Sequence, residues 1–197
     1  MTQYKYGEAI VPVTYGVCGI NLKSFCLGHF ILLEKIDSPF ISVETKDVDV
    51  KTGLPHFFLA LLICSLSFED GLVLLDNAEE LQRLSEKFTV NLMKNMMVEP
   101  NWNFLSKLNL FKNYLKYHLD MPLYDEKQST GDDTASGTDW KNSIFIVFKK
   151  LGYSESQILN MSLKKLFYEW CSYAENEGAI KVWNKFEYEQ FARMKKG

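Results

Sequence analysis

Cys18, Cys26 and His29 are spaced C-x7-C-x2-H and set soft, metal-ligating side chains close together in the chain. A zinc ion needs three or four such ligands converging at about 2.0–2.3 Å, and this spacing matches no known ligand pattern. The four cysteines (Cys18, Cys26, Cys64, Cys171) include no C-x-x-C pair. They read as small hydrophobes in a reducing compartment. Gly16-Val17-Cys18-Gly19 holds a cysteine between glycines, as a nucleophile in a turn would be held, yet no local signature supplies its base. Glu79, Glu80 and Glu86 lie where a solvated helix face explains them, and Asp132-Asp133 lies in a polar stretch. His29 and His118 fall on apolar helical faces, where a hydrogen-bonded core imidazole is expected, and His56 follows a proline. G-x-S-x-G, H-E-x-x-H, a Walker loop and G-x-G-x-x-G do not occur. The residues therefore predict a protein that is not an enzyme, with no metal site and no cofactor.

The chain must position whatever it does use around Pro55-His56-Phe57-Phe58-Leu59-Ala60-Leu61-Leu62-Ile63-Cys64-Ser65-Leu66-Ser67-Phe68, which is apolar on every side from Phe57 to Cys64. Apolarity all round predicts a helix buried all round. The run is shorter than the ~20 residues a bilayer needs. Pro55 is expected in the first helical turn, and Glu69-Asp70-Gly71 is expected to stop the helix. On this reading Leu62→Asp buries an unpaired charge and leaves the protein insoluble.

Residues 8–23 carry β-branched side chains and period-two stretches that predict a small hairpin, with Pro12 on an edge strand. Ser24 is expected to cap a helix to about Ile36, ended by Asp37-Ser38-Pro39. Residues 41–53 alternate like an exposed hairpin or ordered loop. Asp76 and Glu79 resemble a capping box opening a helix from Asn77 to about Met97, with Leu81, Leu84, Phe88, Leu92 and Met96 at helical spacing. From Asn103 to Leu119, Phe104, Leu108, Phe111, Leu115 and His118 form one apolar stripe.

Composition then changes. Residues 124–138 have almost nothing to bury and read as a flexible linker between a helical body, residues 1–123, and a C-terminal module, residues 139–197. In that module Asp139 precedes a helix with Trp140, Ile144, Val147, Phe148 and Leu151 on one face, and Gly152 stops it. Ser154 and Gln157 predict a capping box on a short helix. A helix from Ser162 to Glu177 aligns Leu163, Leu166, Phe167, Trp170 and Ala174. The tail interleaves Trp183, Phe186, Tyr188 and Phe191 with Lys181, Lys185, Arg193, Lys195 and Lys196, in a pattern compatible with helix. Trp170, Trp183, Phe186, Tyr188 and Phe191 are the expected partner-binding residues. The fold class predicted is mainly α, a multi-helix bundle with a small N-terminal β-hairpin and a tethered helical module.

A formal net charge of -3 gives the surface as a whole no attraction for polyanions. The three helices from Trp140 to Glu177 can still be drawn as a helix-turn-helix, with Lys164 and Lys165 opening the recognition helix. Trp170, Phe167, Glu169 and Glu175 on that helix suit packing better than a phosphate-lined groove. The N-terminus shows no secretory pattern, so residence in a cytosol is expected.

At Ser24-Phe25-Cys26-Leu27-Gly28-His29-Phe30-Ile31-Leu32-Leu33-Glu34-Lys35-Ile36-Asp37-Ser38-Pro39-Phe40, and again at Phe58-Leu59-Ala60-Leu61-Leu62-Ile63-Cys64-Ser65-Leu66-Ser67-Phe68-Glu69-Asp70, the chain resembles tail assembly chaperone-like proteins of tailed bacteriophages and prophages. The likeness extends loosely to a strand pair leading into a Leu-Gly-His helix, a polar linker before a tryptophan, and a last helix ending in Glu177-Gly178. The resemblance implies a non-enzymatic protein of the host bacterial cytoplasm. Its partners would be the tape measure and tail tube proteins, with no small molecule or membrane, and homo-oligomers remain open. A connector or tail completion protein of the virion and a DNA-binding regulator are the alternatives.

Overall fold

The structure, a computed structural model, describes residues 15–41, 50–98, 103–120, 122–126 and 140–183. It is mainly helical, with eight helices and two small antiparallel strand pairs among these residues. They divide into two units, residues 15–118 and 119–183.

The N-terminal unit opens on the expected hairpin, β1 (Tyr15–Val17) and β2 (Ile20–Leu22), in the register Tyr15↔Leu22 and Val17↔Ile20. Cys18 (φ 51°) and Gly19 (φ 75°) make its two-residue turn. Positive φ at both positions is what a type I′ hairpin turn requires, so Gly19 has a conformational reason to be there. Pro12 lies outside the described residues. The strand end is fastened to the core at Lys23, whose N–H donates to Cys64 O (2.9 Å) and whose carbonyl accepts from Tyr114 Oη (2.8 Å).

Helix α1 spans Leu27–Lys35, and its cap is Cys26 rather than Ser24. The Cys26 side chain accepts from His29 N–H while the His29 ring accepts from Cys26 N–H, a capping box built from residue types outside the usual Ser/Thr and Glu/Gln set. Phe25, which was expected inside the helix, precedes it and is wholly buried. Asp37, at φ 48°, turns the chain as Ser38 N–H bonds Leu33 O.

Helix α2 spans Val50–Ser65 and begins earlier than expected. Val50–Gly53 belongs to this helix, and the rest of the anticipated hairpin, residues 42–49, lies outside the described residues. Pro55 therefore sits inside the helix instead of in its first turn. It lies on the exposed side, where a backbone carbonyl deprived of its donor can reach water. Phe57, Ala60, Leu61, Ile63 and Cys64 are buried, but Leu59, Leu62 and Leu66 are only half covered. Burial on every side was too strong an inference, because a helix in a bundle this small keeps one face near the surface.

Glu69-Asp70-Gly71 does not stop a helix; it opens α3 (Phe68–Leu75). Ser67 caps α3, accepting from Asp70 N–H at 3.2 Å, and the two acids stand in the first turn, where the helix dipole favours negative charge. Gly71 faces Leu32 of α1, and Gly28 of α1 faces Phe68. These two glycines let α1 and α3 cross closely.

That crossing yields a paired prediction. A Cβ on Gly28 would lie 2.6 Å from Phe68 Cβ, an atom rigidly tied to the α3 backbone, whereas one on Gly71 would meet only Leu32 Cδ1, the mobile end of a side chain, at 2.7 Å. Gly28→Ala is expected to destabilise by about 1–3 kcal/mol despite the ~0.5–1 kcal/mol that alanine gains in a helix. Gly71→Ala is expected to stay within about 1 kcal/mol of the parent, because its helical gain offsets the Leu32 shift. Urea unfolding of the two variants checks this, and equal losses would show the crossing to be looser than described.

Helix α4 spans Ala78–Val98, and its cap is Asn77, whose Oδ1 accepts from Glu80 N–H at 3.0 Å. Asp76, expected as the cap, instead closes α3 and pairs with Lys35 (3.4 Å). Helix α5 spans Phe104–Leu119 with its predicted stripe facing inward, joined by Tyr114, which the stripe missed. Phe111 lies at 5.5–5.7 Å from the rings of Phe40, Phe57 and Tyr114, and Tyr114 reaches Phe25 and Tyr15. This aromatic chain is the centre of the unit.

In the C-terminal unit, α6 (Trp140–Lys150), α7 (Glu155–Asn160) and α8 (Leu163–Asn176) follow the predicted order. Two segments differ. Leu123–Glu126 forms β3 and Ile180–Trp183 forms β4, paired antiparallel as Leu123↔Trp183 through Glu126↔Ile180. Residues 124–126, read as the start of the linker, are thus strand, and residues 180–183, read as compatible with helix, are strand too. The remainder of the linker, residues 127–138, and Asp139 lie outside the described residues. Among the described residues no helix is long and apolar enough to cross a membrane.

Candidate partner-binding surface

The C-terminal unit is built outward from its helix ends. Gly152 (φ 90°) ends α6 in a left-handed turn, with Gly152 N–H on Lys149 O and Tyr153 N–H on Phe148 O. Ser154 and Gln157 then complete the expected capping box of α7. Ser162 caps α8 through Lys165 N–H (3.2 Å). These caps set the three helices so that Ile144, Phe148, Ile158, Leu163, Leu166 and Phe167 are buried.

Gly178 (φ 76°) ends α8, and Ala179 N–H bonds Ala174 O at 2.9 Å, turning the chain back into β4. Ile180 and Val182 of β4 then pack on Cys171 and Ala174 of α8, with Trp170 half buried against them. Glu175 Oε1 accepts from Val182 N–H at 3.1 Å and ties the strand edge to the helix. Glu175→Ala is expected to cost about 0.5–1.5 kcal/mol and to speed exchange of the Val182 amide, while Glu175→Gln, which keeps an acceptor oxygen, is expected to restore protection. Exchange followed by NMR separates the two variants.

Beside this junction a pocket of about 30 Å³ is lined by Pro122, Tyr168, Cys171, Ser172, Glu175 and Val182. It has room for one or two waters. Burial, and next the Glu175 carboxylate, push the Cys171 thiol up to about 12.

Of the five expected partner-binding residues, the structure places the side chain of Trp170 alone. Trp183 ends β4 opposite Leu123, its side chain outside the described residues, as are Phe186, Tyr188 and Phe191. A second half-open aromatic was missed as a surface. Trp140, assigned from sequence to a buried stripe, is 37% exposed and rests on Phe167 at 5.5 Å.

Several of the other chemistry-bearing residues have structural partners. Cys26 and His29 give their ligating atoms to the α1 cap, and burial raises the Cys26 thiol to about 11. Cys64 is wholly buried and its thiol is raised further by the same cause. Among the described residues no three of His, Cys, Asp or Glu converge as a metal ion would require. Glu80 pairs with Arg83 on the exposed face of α4, which holds its carboxyl below the usual range, and Glu79 and Glu86 are exposed. His118 is buried among the rings of Tyr15, Tyr114 and Tyr117. On α8, Lys164 is 7% exposed and Lys165 reaches Glu169 at 3.5 Å. Neither lysine stands out as a phosphate contact would, which disfavours the recognition-helix reading.

Comparison with models of known protein families, with curated proteins and with solved structures finds no match.

Proposed function

We propose that the chain acts as a tail assembly chaperone-like protein of a tailed bacteriophage or prophage. It is non-enzymatic and binds tape measure and tail tube proteins in the host bacterial cytoplasm during tail morphogenesis. The observation that carries this reading is the resemblance over Ser24–Phe40 and Phe58–Asp70. The two stretches, distant in the chain, meet in the fold where Gly28 abuts Phe68 and His29 bonds Leu66. Residues that carry the resemblance therefore share one joint. Trp140 and Trp170, each partly open and each seated on buried apolar residues, supply anchors of the kind that dominate protein interfaces.

Co-expression with the longest helical reading frame beside its gene, followed by size exclusion with light scattering, tests the proposal. A large, many-copy complex that keeps the long protein in solution supports it, and Trp140→Ala with Trp170→Ala should then weaken co-elution. Elution of the chain alone while the long protein precipitates overturns it. Retention in purified particles would instead favour the virion-component reading.

A further inference from the structure

His29 is enclosed by three elements. Its Nδ1 accepts from Cys26 N–H (3.2 Å) at the start of α1, and its Nε2 lies 2.9 Å from Leu66 O in the Leu66-Ser67 joint between α2 and α3. An Nδ1 that accepts carries no proton, so the ring proton is on Nε2 and is donated to Leu66 O. Both nitrogens are engaged and the residue is 1% exposed.

We propose that His29 is a latch that holds α3 against α1 and releases it when the ring takes a second proton. Nδ1 is the only site for that proton, and there it would face the Cys26 N–H, setting donor against donor and removing the ring's half of the α1 capping box, while the Nε2–H bond to Leu66 O favours the charged ring but is outweighed by burial. The charge would also be buried beside Phe25, whose ring is 5.8 Å away. The charged and titratable groups about the ring do not rescue it. The Lys23 ammonium opposes a second positive charge, the Cys26 thiol stays neutral because burial raises it, and Glu69 of α3 is exposed to solvent. Swinging the joint open lets the ring reach water. Helix α3 is only eight residues long, and it meets α1 through the Gly28–Phe68 and Gly71–Leu32 contacts. It also packs on α2 and α4, so its release would part those contacts as well.

The direction with pH follows from the ring. Burial holds His29 down at about 4 in the closed state, against ~6.5 for an imidazole in water. Closure is therefore strongest above about pH 6.5 and weakens as pH falls toward 4, the opening equilibrium rising about tenfold per pH unit.

Hydrogen exchange of the full-length protein between pH 7 and pH 3, corrected for intrinsic rates, tests this alongside NMR titration of the His29 ring. Amides of Phe68–Leu75 are expected to exchange on the order of a hundredfold faster at the lower pH, with the same midpoint as the ring, while those of α5 change far less. His29→Gln, whose amide donates and accepts at any pH, is expected to flatten the response. If that variant is weaker at every pH, the wild-type ring midpoint still decides. A flat α3, a ring that titrates without opening α3, or all helices of the unit loosening together would each overturn the latch.

Discussion

Leu61→Asp is expected to abolish folding of the N-terminal unit, whereas the adjacent Leu62→Asp is expected to leave a folded protein. Leu61 is wholly enclosed in α2 and Leu62 is half covered. At Leu61 the change removes a core side chain, about 2–5 kcal/mol, and adds a carboxyl group with no partner, a further few kcal/mol even when it is protonated. The sum rivals the ~5–15 kcal/mol that holds a typical domain together. At Leu62 the carboxylate can turn to water, and a loss of about 1–2 kcal/mol is expected. Circular dichroism and the yield of soluble protein distinguish them. Equal behaviour would mean that the two faces of α2 are covered alike, contrary to the structure. Sequence alone predicts an insoluble Leu62→Asp protein, and the half-covered position of Leu62 overturns that expectation.

Phe111→Ala is expected to cost about 3–5 kcal/mol, the range for an aromatic removed from a packed core. Phe111 is wholly buried, and three rings converge on it, Phe40 from the turn after α1, Phe57 from α2 and Tyr114 from its own helix. A residue that joins so many neighbours leaves a cavity none of them can fill alone, because each is held by the others. For a unit of this size the melting temperature should fall by roughly 15 °C or more. Phe104→Ala on the same helix touches Phe57 but is only half buried, and its loss should be clearly smaller. Calorimetry on both variants checks the ordering, and a reversal would move the centre of the core away from α5.

The joint between α1 and α3 gives the Leu27-Gly28-His29 motif a physical reading. Leu27 is buried, Gly28 permits close approach to Phe68, and His29 caps one helix while bonding the carbonyl that precedes the next. From sequence, His29 could be placed on an apolar face and expected to be hydrogen-bonded. Its partners could not be named, since Leu66 is far along the chain. Cys26 as a helix cap was invisible for a different reason: a thiol is a weak acceptor, and capping preferences point to Ser24 instead.

Sequence by itself determined those features whose causes lie within four residues. The stripe of α5, the Ser154 and Gln157 capping box, and the glycines that end α6 and α8 all rest on spacings of three or four along one helix or on the freedom of one glycine to take positive φ. The mainly helical class and the small hairpin follow from the same local physics. Only the tertiary structure decided the rest. Glu69-Asp70-Gly71 reads equally as an end or a beginning until Ser67 is seen capping α3 and Gly71 is seen against Leu32. Residues 124–126 open a polar stretch that predicts no burial, and Ile180–Trp183 is too short a period-two run to identify alone. Each becomes a strand because the other supplies its hydrogen bonds from far away in sequence, and α8 covers Ile180 and Val182. Whether Lys164 faces solvent, or Leu61 rather than Leu62 is sealed, depends likewise on which neighbours fold over it. Local sequence sets which conformations are cheap; contacts between distant segments choose among them.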